Sequence, residues 1–197
     1  MSIGIAVVVA GEICSGKSTV IAHLARVHDW DVISFGAYVR HVSAGRGLTG
    51  TREELQSLGA ELLDGLGPEQ LLDAAVRLCQ PRSSVHLFDG DRHASMLAAI
   101  RQRYSTTVVA YLDVTAAERY RRFLRRQRED ETTLTHAGFM ALCDAPIERS
   151  VLDVRTTADL LFADVATAEE VARAIECLVG SAGKQHSGER REKPGCG

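Results

Sequence analysis

Residues 11–18 have the types and the spacing that binding of a phosphate chain requires. They read Gly-Glu-Ile-Cys-Ser-Gly-Lys-Ser and match the pattern G-x-x-x-x-G-K-S/T of the phosphate-binding loop, or P-loop. The glycines let the backbone approach an anion without an intervening Cβ. Lys17 can reach the β- and γ-phosphates of a nucleotide, and the Ser18 hydroxyl can ligate Mg²⁺. The motif therefore predicts a nucleotide site in which Ser18 is the metal ligand.

The segments on both sides of this loop support that interpretation over an inert glycine-rich turn. Residues 3–10 are apolar and β-branched, as in a buried parallel strand. Apolar residues then recur at helical spacing from Val20 to Val27, so a helix is expected to begin near Lys17 and to add positive charge to the loop. We expect the nucleotide to contact Gly11, Cys14, Ser15, Gly16, Lys17, Ser18 and Thr19.

The composition is that of one ordinary globular domain. The chain has 197 residues, of which 45% are hydrophobic and 25% charged, and its net charge of −3 provides no general attraction to nucleic acid or acidic membranes. Five cysteines are scattered without a C-x-x-C pair, which is typical of reduced cytosolic thiols. No secretory leader or membrane-spanning run is recognisable, so a cytoplasmic protein is expected.

Strand and helix patterns alternate along the chain. Five strands are predicted near residues 5–10, 31–34, 85–88, 106–112 and 158–163, with helical patterns between them. This alternation favours an α/β fold in which a five-stranded parallel sheet is covered by helices on both faces, giving three layers. The predicted domain covers residues 1–179, and the polar, glycine-rich residues 180–197 are expected to form a flexible tail.

Two short segments follow predicted strands and carry charged side chains. Residues 33–40 lead from the second strand into a helix that bears Arg40, and residues 35–80 as a whole are largely helical. The third strand ends at Asp89-Gly90, followed by Arg92. Ligands of α/β proteins bind at the carboxyl ends of the strands, so Asp89 could orient a metal through water or accept a proton. The alternatives are an exposed helix charge at Arg40 and a simple Asp-Gly turn.

An arginine-rich helix is predicted after the fourth strand. Six arginines fall within residues 119–128, while a narrow face expected to point to the core is formed by Tyr120, Phe123, Leu124 and Gln127. This face is flanked on one side by Arg119, Arg122 and Arg126 and on the other by Arg121, Arg125 and Arg128. One of the two sides can point at the P-loop and the other at solvent. A solvated basic surface is the alternative, whereas the acidic net charge and scarce aromatic residues argue against a nucleic-acid partner.

These segments together resemble the nucleoside monophosphate kinases, a group of P-loop proteins that includes adenylate and cytidylate kinases. The likeness spans about residues 3–179 and rests on the P-loop, on the step from Ile33-Ser34 to Arg40, and on Asp89-Gly90 with Arg92. The chain departs from the pattern at Ala37, where adenylate kinases often have Asp. Dephospho-CoA kinases, a neighbouring family, usually place an acidic base in this region, and its absence argues against their substrate.

The resemblance implies a three-layer P-loop NTPase fold and a role for each charged segment. Arg40 and Arg92 would position the acceptor, and Asp89 would organise the metal or the nucleophile. A short helical lid over about residues 119–145 would close on the site. Its arginines Arg122, Arg126 and Arg128 would stabilise charge on the transferring phosphoryl group.

The expected function is therefore transfer of a phosphoryl group from ATP, with Mg²⁺, to a small acceptor that is a nucleoside or deoxynucleoside monophosphate. Two alternatives stay open. The acceptor could be a hydroxyl of a nucleoside, coenzyme or other metabolite, with Asp89 as general base. The chain could also be a regulatory protein that binds ATP and signals through lid closure. Both a monomer and a homodimer are compatible with the sequence.

Overall fold

The computed structural model describes residues 4–90, 93–126, 135–144, 146–163 and 166–188, with the backbone alone at 52, 126, 146–149 and 184–188. Its strands are β1 Ile5–Ala10, β2 Asp31–Ser34, β3 Val85–Asp89, β4 Thr106–Asp113 and β5 Leu160–Ala163. Its helices are α1 Lys17–His28, α2 Phe35–Gly45, α3 Arg52–Cys79, α4 Ala94–Arg103, α5 Ala116–Arg126, α6 His136–Cys143, α7 Pro146–Arg155 and α8 Ala168–Gly188.

The five strands form one parallel sheet in the order β2-β3-β1-β4-β5. Alternate residues of the central strand β1 face opposite sides of this sheet. Val8 packs with side chains of α3, α4 and α7, whereas Val7 and Val9 pack with side chains of α1 and α8. Both faces of the sheet are therefore buried, and the expected three-layer α/β fold with a five-stranded parallel sheet is confirmed.

Strand pairing brings the carboxyl ends of β1, β3 and β4 to one edge. Val8 of β1 is paired with Phe88 of β3, and Ala10 of β1 is paired with Tyr111 of β4. The P-loop that follows Ala10 is therefore flanked by Asp89 on one side and by the end of β4 on the other. This edge is where the chemistry-bearing residues gather.

Local signals in the sequence set the helices beside this edge. The Ser34 hydroxyl accepts a hydrogen bond from the Ala37 amide at 3.2 Å and caps α2. Thr51 and Glu54 form the predicted capping box at the start of α3. The predicted break near residue 67 is also present, because Gly67 has a non-helical φ of 75° that kinks α3.

Two expectations are corrected by the structure. Helix α8 continues past Val179 to Gly188, so the helix does not end at 179 as predicted, and the rest of the predicted tail, residues 189–197, lies outside the described residues. Leu124 of α5 is 53% exposed, although its spacing placed it on the core face. Phe123 of the same predicted face is 4% exposed, as expected, and the buried side of α5 also includes Arg119, likewise 4% exposed, because this side packs against the P-loop and α6.

Candidate active site

The P-loop begins with a backbone conformation that only glycine adopts readily. Gly11 has a φ of 143°, and a Cβ added to it would lie 2.8 Å from the Leu112 carbonyl oxygen. Inside the loop, the Lys17 ammonium donates to the carbonyls of Gly11 and Glu12, both at 2.7 Å, and contacts the Ser15 hydroxyl at 3.4 Å. The lysine is therefore held over the loop by the loop's own backbone.

Helix α1 directs its amino-terminal end at the same loop. Gly16, with a left-handed φ of 104°, precedes the helix, which has no side-chain cap and no acidic residue in its first turn. Ser18 and Thr19, in that first turn, are exposed. An exposed hydroxyl beside the positive end of a helix fits a phosphate-bound magnesium ion, so the residues present suit the expected role of Ser18.

The arginine-rich helix α5 lies against the loop through Arg122. Its Nη1 donates to the Ser15 carbonyl at 2.6 Å, and its Nε donates to Glu118 at 3.1 Å. The same Nη1 is 3.3 Å from the position that a Cβ on Gly16 would occupy. Arg122 is thus one expected lid arginine that the structure brings to the loop. Arg126 ends α5 with its side chain outside the described residues, and Arg128 lies outside them altogether.

A second arginine of α5, on the same predicted flank as Arg122, contacts the loop, although the sequence did not indicate it as a site residue. Arg119 is 4% exposed, and its Nη2 lies 2.8 Å from the Glu12 carboxylate. The feature of the sequence that could have indicated a buried arginine here is Glu12. A carboxylate inside a phosphate-binding loop needs a cation nearby, although the sequence does not say which arginine supplies it.

A cavity of about 240 Å³ opens beside the loop, on the side of β5 and α8. Its walls are polar and apolar in about equal measure, and it adjoins Gly16 and Arg122, so it can take a flat ring next to bound phosphates. The lining residues are Ser15, Gly16, Thr19, Leu112, Val114, Arg122, Phe162, Ala163, Ala166, Thr167, Ala168 and Val171. No pattern in the sequence pointed to this cavity, because its walls come from separate elements of the chain.

The other side of the loop holds the expected acceptor residues. Ser34 of β2 is paired with Asp89 of β3, so the two strand ends are adjacent. Gly90, with a φ of 87°, approaches the start of α2, since its Cβ position would lie 3.7 Å from the Gly36 amide nitrogen. The Arg40 guanidinium lies over Gly36, 3.5 Å from that residue's Cβ position. Arg40 and the Asp89-Gly90 turn therefore both lie close to Gly36.

Arg40 is exposed and Asp89 is half-buried. No other described residue forms a hydrogen bond or ion pair with Arg40. Arg92, the other predicted acceptor residue, lies outside the described residues. Within the described part of the chain, no group of three or more His, Cys, Asp or Glu side chains is placed to hold a metal ion.

A buried hydroxyl and an exposed ion pair lie at the end of β4 near the site. Tyr111, which is 1% exposed, lies beneath the P-loop at the end of β4. Burial, together with the nearby carboxylates of Glu12 and Asp113, raises the pKa of the Tyr111 hydroxyl to about 12. Asp113 is itself paired with Arg155 of α7 at 2.8 Å. The hydroxyl of Tyr111 therefore stays protonated at neutral pH.

Residues 11–136 match the family model described as an AAA domain, which is more than half of the chain. The chain belongs to the AAA domain family. The match starts at Gly11, the first residue of the P-loop, and extends into α6. Comparison with curated protein sequences gave no significant match. None of the helices in the described residues is long and apolar enough to cross a bilayer.

Solved structures of small kinases have the same fold. Shikimate kinase from Bacteroides thetaiotaomicron aligns with a TM-score of 0.57 at 14% identity, covering 89% of this chain and 98% of that chain. A gluconokinase from Sinorhizobium meliloti aligns with a TM-score of 0.54 at 12% identity, covering 96% and 99%. A Thermus thermophilus protein aligns with a TM-score of 0.57 at 18% identity, covering 92% and 98%. This AAA domain protein therefore has the fold of P-loop kinases.

Proposed function

We propose that this protein is a phosphotransferase that uses ATP and Mg²⁺ to phosphorylate a nucleoside or deoxynucleoside monophosphate. The observation that carries the proposal is the two-sided site around the P-loop. Lys17 and Arg122 lie along the loop, while Arg40 of α2 and the Asp89-Gly90 turn both approach Gly36 beside the neighbouring strand ends. A switch protein needs only the first half, whereas transfer to an acceptor needs both halves.

The donor half consists of the loop, Lys17, Ser18 and the cavity beside Gly16. The cavity would take the nucleobase and the loop would take the phosphates. Ser18 would hold Mg²⁺, whose contribution is to neutralise charge on the phosphates. Arg122 donates to the loop at the Ser15 carbonyl and would stabilise the negative charge that spreads over the transferring group.

The acceptor half consists of Arg40 and Asp89, with Arg92 as a further proposed contact. Arg40 would bind the phosphate of the acceptor, because a planar guanidinium binds phosphate through two parallel hydrogen bonds. A monophosphate is already ionised at neutral pH, so its attack requires no general base. This suits a site in which Ser34 and Ala37, at the start of α2, are not acidic.

A kinase that phosphorylates a hydroxyl is the second candidate. Two proteins with the same fold are a shikimate kinase and a gluconokinase, names that denote small metabolites and not nucleotides. In this case Asp89 would take the proton from the attacking hydroxyl. Asp89 therefore separates the two candidates, since only the hydroxyl kinase depends on it as a base.

An acceptor panel tests the proposal. The protein is incubated with ATP and Mg²⁺ and with nucleoside monophosphates, nucleosides, hydroxy acids or no acceptor, and ADP formation is followed. We expect ADP to form fastest with a monophosphate. Acceleration by a nucleoside or hydroxy acid alone would favour the hydroxyl kinase, and ADP formation that ignores every acceptor would favour a regulatory ATP-binding protein.

Two variants then assign the acceptor side. Arg40→Met is expected to raise KM for the monophosphate by about tenfold or more, because it removes a charged hydrogen-bond partner. Arg46→Met, at the carboxyl-terminal cap of helix α2 and paired with Glu61, is the control and leaves KM unchanged. If the acceptor is a phosphate, the Asp89→Asn variant is expected to show the same fall in rate at low pH as the wild type. If the acceptor is a hydroxyl, this fall at low pH is expected to disappear, because the base that titrates there has been removed.

A further inference from the structure

Arg119 connects the P-loop to the arginine-rich helix through a buried ion pair. Its guanidinium uses all three nitrogens within the described residues. Nη2 pairs with the Glu12 carboxylate at 2.8 Å, Nε donates to the Val114 carbonyl at 3.1 Å, and Nη1 donates to Cys143 Sγ at 3.2 Å. One side chain of α5 therefore joins the loop, the end of β4 and helix α6.

Residues 12–15, between Gly11 and Gly16, contact residues of helices α5 and α6. Glu12 is paired with Arg119, and the Ser15 carbonyl accepts from Arg122. Between them, Ile13 and Cys14 are buried in one apolar cluster with residues of α5 and α6: Phe123, Phe139 and Cys143. The position of the loop is therefore defined by α5 and α6 as well as by the sheet.

The ion pair leads directly to Lys17. The side chain of Glu12 is fixed by Arg119, and the main-chain carbonyl of the same residue accepts the Lys17 ammonium at 2.7 Å. Holding the Glu12 side chain restricts the rotation of its peptide group, and so restricts where the lysine can be held. Arg119 can thus influence the position of Lys17 without contacting any substrate.

Packing alone does not explain this arrangement. The side chain of Arg119 is 5% exposed and that of Glu12 is 22% exposed, so the pair loses most of the hydration of its charges. Such a pair is often no more stable than apolar residues of the same size. An arginine at 4% exposure is therefore a poor choice for stability alone, whereas its fixed geometry is well suited to orientation.

We propose that Arg119 is a positioning residue for phosphoryl transfer, which acts through Glu12 to hold Lys17 in place relative to the lid helices α5 and α6. This inference rests on the proposed function for its kinetic readout. Its effect falls on the transition state more than on acceptor binding, because Arg119 lies on the donor side of the loop.

The test compares Arg119→Met, Arg119→Lys and the matched control Arg121→Met. Arg121 lies on the same helix and pairs only with Glu118 among the described residues, with its side chain 65% exposed. We expect Arg119→Met to lower kcat by about 10- to 100-fold with little change in acceptor KM. Arg119→Lys, which retains a charge for Glu12, should keep a higher kcat than Arg119→Met, and Arg121→Met should match the wild type.

A double-mutant cycle with Glu12→Gln isolates the pair. If Arg119 acts through Glu12, the double variant Glu12→Gln with Arg119→Met has a kcat no lower than that of the worse single variant. Additive losses would overturn the proposal. An unchanged kcat in Arg119→Met would overturn it as well. The same holds if the loss of kcat only parallels the fall in thermal midpoint and Arg119→Lys does not restore kcat.

Binding of Mg·ATP separates this proposal from the proposed function. If the wild type transfers phosphate to no acceptor, the proposed function fails, but the same variants can be compared by the Kd for a non-hydrolysable ATP analogue with Mg²⁺. If Arg119 positions Lys17, the analogue binds more weakly to Arg119→Met than to Arg121→Met. The effects of Arg119→Met and Glu12→Gln on Kd are then not additive in the double variant. Equal Kd values in the two arginine variants would overturn it.

Discussion

The Arg122 guanidinium donates a hydrogen bond to the Ser15 carbonyl at 2.6 Å and so joins helix α5 to the P-loop directly. The two residues are 107 positions apart in the chain. Under the proposed function, a positive side chain fixed at the rim of the loop would be in place before charge develops on the transferring group, and such preorganisation is the main source of electrostatic catalysis.

Replacing Arg122 should therefore affect the rate of transfer more than the fold. We expect Arg122→Met to lower kcat by on the order of 10²–10³-fold, as is typical for loss of one preorganised donor. Arg125→Met serves as the control because Arg125 is an exposed arginine of the same helix. Steady-state kinetics measure the effect, and equal kcat values for the two variants would remove Arg122 from the mechanism.

The loop geometry predicts a contrast between two glycine substitutions. Gly11→Ala forces a Cβ to within 2.8 Å of the Leu112 carbonyl at a φ of 143°, so it should destabilise the fold by about 1–3 kcal/mol and impair nucleotide binding. Gly45→Ala, at the end of α2 with no atom within 4 Å of its Cβ position, should be neutral or stabilise by about 0.4–1 kcal/mol. Denaturant unfolding measures both values, and a tolerated Gly11→Ala would contradict the loop conformation.

The buried His86 of β3 predicts that stability falls as the pH is lowered. Its Nε2 lies 3.0 Å from the Ser83 carbonyl and must donate to it, so Nδ1 accepts from the Tyr104 hydroxyl at 2.6 Å. Burial is the main cause that lowers the pKa of His86 in the folded chain. The unfolded chain then binds more protons below about pH 6.5, so the free energy of unfolding decreases there.

The variant His86→Phe checks this pH dependence. It cannot titrate and leaves the Ser83 carbonyl and the Tyr104 hydroxyl without their partner, so it should cost about 1–3 kcal/mol near pH 8. Urea unfolding between about pH 8 and pH 5 should show a steeper loss of stability in the wild type than in the variant. Parallel curves for the two proteins would show that His86 does not titrate in this range.

The fold was predictable wherever local chemistry determined it. β-Branched runs such as that around Val8 form the strands, and Thr51 with Glu54 caps α3 as expected. The end of α8 was not predictable from composition. The glycines and serines after Val179 indicated a tail, yet the helix continues and Ser181 donates to the Cys177 carbonyl at 2.8 Å within it.

The site was predictable only in its local part. The spacing of Gly11, Gly16 and Lys17 is a property of one loop, so the motif identifies it. Arg119 and Arg122 lie in a run of arginines in which helical periodicity alone cannot select the one that is buried. What sets these two arginines apart from the others is contact with Glu12 and Ser15, and those residues approach α5 only after the sheet has formed.

The most direct test of the central claim follows the γ-phosphate itself. ATP labelled at the γ-phosphate is incubated with Mg²⁺, the protein and a monophosphate acceptor, with Lys17→Ala as the inactive comparison and Arg26→Ala of the same helix as the matched control. The account predicts that the label appears on the acceptor with the wild type and Arg26→Ala, and that Lys17→Ala remains folded but transfers little label. Label found only as inorganic phosphate, or transfer that persists undiminished in Lys17→Ala, would contradict it.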